Sequence, residues 1–317
     1  LNVSAAKELG VSRKSVRTEW KKRLIKNRWL YFMLFPGVLY FILFKYLPMW
    51  GVMIAFQDYS PFSGFWGSEW VGLKHFATIF DDDSTFQIFI NTIILAVYNL
   101  FFFFPLPIII ALMLNEMRKE LFKRLVQTLI YIPHFISWVV VVGIAYILFT
   151  TEGGIVNDVL VSLGGNKINF LLSKEWFRTM ITSEVIWKET GWGTILFFAA
   201  LAGVDPQQYE AARIDGATRW QQMVHVTLPA IKSTIIILLI LRLGHFLDSG
   251  FEQIFLMLNP MNREVGEVFD TYVYAKGIEQ GNFSYATAVN LFKSVVGIIL
   301  VLVSNHLAKR AGEEGIY

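Results

Sequence analysis

Cysteine is absent from the 317 residues. That excludes a disulfide framework, a thiolate nucleophile and any Cys-type zinc or iron–sulfur centre. Charge is scarce as well: Asp, Glu, Lys and Arg make up 17% of the chain, against about 25% in an ordinary soluble domain. No G-x4-G-K-[ST] phosphate loop occurs, because Gly164-Gly165-Asn166-Lys167 has the wrong spacing. Low-complexity tracts and solenoid repeats are missing. A cleavable signal pattern is missing too, since the first apolar run is too long for a signal h-region. The opening Leu1 leads us to expect a start codon that is unusual or lies upstream.

What remains is apolar. Hydrophobic residues reach 55%, with 28 Phe and 10 Trp, and mean hydropathy is +0.49. A soluble chain of this size could not hide that much apolar surface, and disorder is excluded by the same figures. A helix needs about 20 mostly apolar residues to cross a bilayer. Six stretches qualify, at about 29–55, 86–114, 125–150, 180–204, 228–247 and 286–307. The expected fold is therefore all-α and polytopic, with a basic segment at 1–28 followed by a membrane region at 29–317. With the N-terminus in the cytoplasm, both termini lie inside. Lys and Arg then favour the inner segments by about three to one, as the positive-inside rule requires. The loops at 56–85, 151–179 and 248–284 fall outside. They are aromatic-rich, and short interfacial helices docked to a partner are expected there.

The most informative segment is the inner loop at 205–229. Asp205 followed by Pro206 reads as a helix start, a capping acceptor and then a ring with its φ already set. Tyr209, Ala212 and Ile214 supply one apolar side, and Gly216 suits a left-handed stop. Thr218 can cap a second short helix, whose Trp220, Met223, Val224 and Val226 form another apolar stripe. Pro229 marks entry into the membrane.

Glu210, Ala211, Ala212, Gly216, Val226, Leu228 and Pro229 match E-A-A-x3-G-x9-[IV]-x-L-P at every position. The segment resembles the EAA loop of permease subunits in binding-protein-dependent ABC importers of the type I fold. Leu34-Phe35-Pro36-Gly37, Lys45-Tyr46-Leu47-Pro48, Trp70-Val71-Gly72-Leu73-Lys74-His75-Phe76 and Tyr285-Ala286-Thr287-Ala288-Val289 extend the likeness to the polysaccharide and oligosaccharide branch. That branch includes the alginate-oligosaccharide importer permeases. The resemblance implies a bacterial inner-membrane translocation subunit that is not itself an enzyme. It implies a second homologous permease, two ATP-binding subunits, an extracytoplasmic solute-binding protein and an oligosaccharide cargo. No cofactor is expected in this chain, because ATP and Mg would sit on the ATPase. Glu210, Ala211, Ala212, Asp215, Gly216, Leu228 and Pro229 would then contact or position the ATPase.

Ionisable groups inside spans usually face a cavity or a partner helix. Glu184 and Lys188 stand four apart and are expected to pair on one helical face. Trp187 and Trp192 lie nearby, and an indole face can stack on a sugar ring. Arg242, His245 and Asp248 recur every three residues, with Arg242 set to pair with Asp248 or meet an acidic sugar. Asn290 and Lys293 share one side of the last span. The candidate pathway residues are thus Trp187, Lys188, Trp192, Arg242, His245, Asn290 and Lys293. His134 reads as hydrogen-bonded packing. His225 and His306 stand alone, so no metal site is expected.

Residues 5–16 resemble the core of a DNA-binding helix-turn-helix. About 25 residues cannot bury a core alone, so no nucleic-acid partner is expected. A basic helix on the anionic inner leaflet explains the cations better. The alternative function is an ion-coupled secondary transporter acting without an ATPase. That reading would call for inverted repeats, which the sequence does not display.

Overall fold

The computed structural model describes residues 25–81, 83–312 and 315–316. The helix-turn-helix-like string at 5–16 and most of the basic segment lie outside the described residues. The chain divides into two compact units, Leu1–Met53 and Ile54–Tyr317. In the first, α1 (Arg28–Phe41) runs on through a π turn, and no residue of either is buried. Its surface carries Trp29, Phe32, Phe35 and Phe44, all exposed, as a helix suited to lipid or to another helix would.

The second unit opens on a two-stranded antiparallel ladder, β1 (Gln57–Asp58) and β2 (Glu69–Trp70), with Gln57 opposite Trp70. The Lys74 ammonium donates to Asp58 at 2.6 Å, and this bond holds the Asp58 carboxyl below its ordinary value. After α2 (Lys74–Asp81), the second span is α3 (Asp83–Tyr98) and α4 (Pro105–Glu116) joined by a π turn. Pro105 has no N–H to give, and the ladder shifts there so that Phe104 N donates to Asn99 O at 3.0 Å.

Among the described residues, three helices are long and apolar enough to cross a membrane: Arg28–Phe56, Ser84–Glu116 and Phe283–Arg310. The stretch at 125–150 is not one rod, which corrects the sequence expectation. It consists of α5 (Glu120–Tyr131) and α6 (Trp138–Phe149), with a 102° bend between the two arms. Pro133 sits in the 3-10 turn Ile132–Phe135, and Ile136 and Ser137 are extended, which breaks the ladder. The short helix α7 (Ile155–Ser162) follows.

Where a fourth span was expected lies α8 (Lys174–Ala202), 29 residues long, which begins six residues earlier than expected and is not among those three helices. Ser173 caps its first turn by accepting from Glu175 N at 3.1 Å. The fifth is bent too. After α9 (Pro206–Ile214) and α10 (Arg219–Gln222), the arm Arg219–Ala230 meets α11 (Lys232–Gly244) at 57°. This helical span is shorter than the expected 228–247. Then come α12 (Phe251–Met257), α13 (Phe269–Tyr274) and the last span, α14 (Phe283–Arg310).

Three apolar clusters hold these helices. One gathers Leu95, Val142, Phe177, Ile181, Ile254 and Val268, joining α3, α6, α8 and α12. A second gathers Ile79, Ile88, Phe269, Tyr285 and Val289, joining α2, α3, α13 and α14. The third gathers Ala111, Leu112, Phe197, Leu201 and Ile231, with Met223 and Leu228 packed against it. It ties the 205–229 loop to α4, α8 and α11.

Glycine sets two close approaches between spans, where small residues let backbones meet. A Cβ on Gly191 of α8 would overlap the Ile130 carbonyl of α5. One on Gly297 of α14 would lie 2.6 Å from Gly244 O of α11.

Candidate functional site

The 205–229 loop is a helical hairpin closed by its own side chains. Asp205 accepts from Gln207 N at 2.9 Å, with Pro206 at the first helical position, as its sequence predicts. Gly216 has φ +79°, a value only glycine adopts freely. Its N–H donates to Arg213 O, and Ala217 N donates to Ala212 O, at 3.1 and 2.9 Å. Thr218 and Gln221 form a reciprocal capping box, and Gln222 Nε2 donates to Ala217 O at 2.9 Å.

Glu210, Ala211, Asp215, Gly216 and Pro229 are exposed, whereas Ala212 and Leu228 are half-buried. The two apolar sides are only partly covered. Ile214 is 86% exposed and Trp220 69%. Tyr209, Ala212, Met223 and Val224 are half-buried, and Met223 packs against the third cluster. The hairpin thus exposes carboxylates, small residues and two large apolar side chains. Arg219 Nη1 reaches Glu116 Oε2, at the end of α4, across 3.4 Å.

The polar groups of the spans form two clusters. The expected Glu184–Lys188 pair is not made. Gln253 of α12 donates to Glu184 Oε2 at 2.7 Å and to Ile181 O at 2.9 Å. Lys188 instead donates to His134 O at 2.6 Å, in the turn between α5 and α6. That turn leaves a carbonyl without its helical partner, and an ammonium inside the bundle satisfies it. Lys188 also lies 3.3 Å from Glu189 Oε1 and over the Trp138 ring at 5.3 Å. His134 Nδ1 is 2.8 Å from Glu189 Oε2, and its ring stacks on Trp192 at 4.3 Å and 5°. Trp192 is 46% exposed. Trp187, also exposed, stands outside this cluster on another face of α8.

The second cluster surrounds a cleft of about 560 Å³ between α11 and α14, lined by His245, Asp248, Asn290, Lys293 and Gly297 among others. Lys293 is buried and pairs with Asp270 of α13 and, at 3.0 Å, with Asp248. His245 Nδ1 is 2.9 Å from Asp248 Oδ2. Asp248 is taken up by these two, and no ion pair joins it to Arg242. The Arg242 guanidinium lies over the Phe103 ring at 5.6 Å instead. The structure therefore brings His245, Asn290 and Lys293 together, sets Lys188 with Trp192, and leaves Trp187 and Arg242 apart. Asp270 went unread in the sequence, where it stands 23 residues from its partner Lys293.

Removing one partner of a buried ion pair strands the other charge. Lys293→Met should destabilise the protein by about 3–5 kcal/mol, read as a lowered melting temperature in detergent. Adding Asp270→Asn should restore part of that loss.

These features define a helical membrane permease of the ABC-importer type. The chain belongs to the family described as binding-protein-dependent transport system inner membrane component, whose model matches residues 103–313. It is similar to the polygalacturonan/rhamnogalacturonan transport system permease protein YteP of Bacillus subtilis. The two are 57% identical over 307 residues, covering 97% of this chain and 96% of that one. Protein LplB of the same organism is also 57% identical, over 94% of each chain. Among solved structures, a chain of the bacterial alginate ABC transporter, in complex with its alginate pentasaccharide-bound periplasmic protein, matches with a TM-score of 0.85 and 39% identity. That match covers 93% of this chain and 99% of the other.

Proposed function

We propose that this chain is the translocation subunit of an ATP-driven importer for oligosaccharides, working by alternating access. The observation that carries the reading is the 205–229 hairpin. It is rigid by its own capping, open on the side of Glu210, Ala211 and Asp215, and rooted in the cluster that joins α4, α8 and α11. A hairpin of that kind transmits a push to three spans at once. In this reading it faces the cytoplasm, as do both termini, and two ATPase subunits engage it. Ile214 and Trp220 supply apolar anchors there, the kind of residue that dominates interface energetics.

A second permease completes the pathway, and an extracytoplasmic binding protein delivers cargo to the opposite ends of the spans. No group held by this chain is required, because ATP and its metal belong to the partner. The relatives' names point to acidic cargo: polygalacturonan and rhamnogalacturonan for one, and alginate, an acidic polysaccharide, for others. Trp192, 46% exposed, suits a pyranose ring, and Arg242, which makes no ion pair among the described residues, supplies positive charge.

The complete importer in proteoliposomes, with its binding protein present, tests this. Uptake of oligogalacturonides is expected to need ATP and the ATPase subunits. Neutral oligosaccharides of equal length should be taken up poorly. Uptake driven by an ion gradient without ATPase subunits would overturn the ATP-driven reading in favour of a secondary transporter.

A further inference from the structure

Between α10 and the foot of α11 the helix is not an ordinary one. Residues Met223–Thr227 make a π turn, an insertion that tends to mark functional positions. Four residues on, Ile231 is buried at the 57° bend where α11 begins. Thr227, the last residue of the π turn, is 1% exposed although it carries a hydroxyl. Its Oγ1 donates to Gln222 O at 3.4 Å, across the widened turn. Thr227 Oγ1 also shares a hydrogen bond with Tyr209 Oη of α9, at 3.0 Å. Among the described residues this is the side-chain hydrogen bond that joins α9 to the segment leading into the fifth span. The hairpin's other side-chain bonds close α9, the turn or α10 on themselves, and Arg219 leads to α4.

We infer that Tyr209 and Thr227 form the pin through which a displacement of α9 reaches the fifth span, with the buried Ile231 bend as its pivot. The inference rests on the proposed function and deepens it by naming the route of transmission. Both are positioning residues, since neither meets cargo or nucleotide. The geometry explains the placement. A push on the open face of α9 acts on one rigid hairpin. The hydroxyl pair then fixes its angle to a turn whose ladder is already loosened. Without the pin, the hairpin can tilt at the π turn while α11 stays in place.

The test uses the assembled importer in proteoliposomes, comparing Tyr209→Phe, Thr227→Val, the double variant and Thr227→Ser. Tyr209→Phe and Thr227→Val keep shape and lose one hydroxyl each. Each is expected to lower cargo taken up per ATP hydrolysed by about 3- to 10-fold, the range of one hydrogen bond's net free energy. The ATPase subunits should still co-purify in wild-type proportion. The double variant should be no worse than either single one, because both remove the same contact. Thr227→Ser should restore the ratio. Wild-type uptake per ATP in both single variants would overturn the pin, as would additive losses or loss of the ATPase subunits. Glu210→Lys serves as the control on the underlying reading. If it too leaves ATP-driven uptake unchanged, the hairpin is not the coupling element at all. If it abolishes uptake while Tyr209→Phe does nothing, only the pin fails.

Discussion

Replacing Gly216 by valine should lower ATP-driven uptake by more than about tenfold while the chain still inserts into the membrane. The cause is backbone strain and not crowding. A Cβ at Gly216 meets nothing within 4 Å, yet φ is +79°. A β-branched residue held there costs about 1–3 kcal/mol. The hairpin can relieve that strain by unwinding the turn in which Gly216 and Ala217 donate to Arg213 and Ala212. Unwinding swings α9 against α10 and carries Glu210 and Ala211 off the surface they share with Asp215. Gly216→Asn provides the contrast, since asparagine tolerates left-handed backbone and should keep most of the uptake. Transport assays on proteoliposomes, normalised to permease incorporated, distinguish the two variants. Unimpaired transport by the valine variant would show that the bend does not position a coupling surface.

The second large effect concerns folding. Gly191→Ala should destabilise the bundle by about 3 kcal/mol, the upper range for overpacking a tight core. The added methyl would overlap a backbone carbonyl, that of Ile130, which no rotamer change can move aside. The strain falls where α8 crosses the end of α5, beside the His134 turn that Lys188 caps. The expected readout is a marked loss of monodisperse, folded protein in detergent and a lower melting temperature. Two further glycines calibrate it. Gly193→Ala meets only the ring edge of Pro107, at 2.9 Å, and should cost less. Gly143→Ala, with open space around it, should be neutral. Equal stability of all three would mean that the crossing has room the packing does not show.

Much of the local structure was legible before any helix was placed. The Asp205-Pro206 start, the Gly216 stop and the Thr218 cap all lie where the residues point, because capping depends on atoms a few positions apart. Two of the interrupted spans were less legible. Pro133 and Pro229 stand in the sequence, but hydropathy alone reads through them, since a broken helix stays as apolar as a straight one. The polar groups were hardest. Spacing on one helix pointed to Glu184 with Lys188 and to Arg242 with Asp248, and in both cases a residue from another helix took the partner first. Gln253 holds Glu184, and Lys293 holds Asp248. Which members of the hairpin's apolar sides would be covered, and that Ile214 and Trp220 would not be, was not legible either. An apolar residue on a short surface helix faces inward only if a neighbour covers it.

By itself the sequence determined that the chain belongs in a bilayer, roughly where its apolar segments run, and that a capped, glycine-bent hairpin interrupts them. Those properties are sums over neighbouring residues, of transfer free energy and of local backbone preference. The tertiary structure alone decided that Lys188 caps a broken span, that Lys293 binds two carboxylates, and that Tyr209 meets Thr227. Such contacts join residues far apart in the chain. They form only when helix crossings, set by glycine contacts and apolar packing, bring those groups within hydrogen-bond reach.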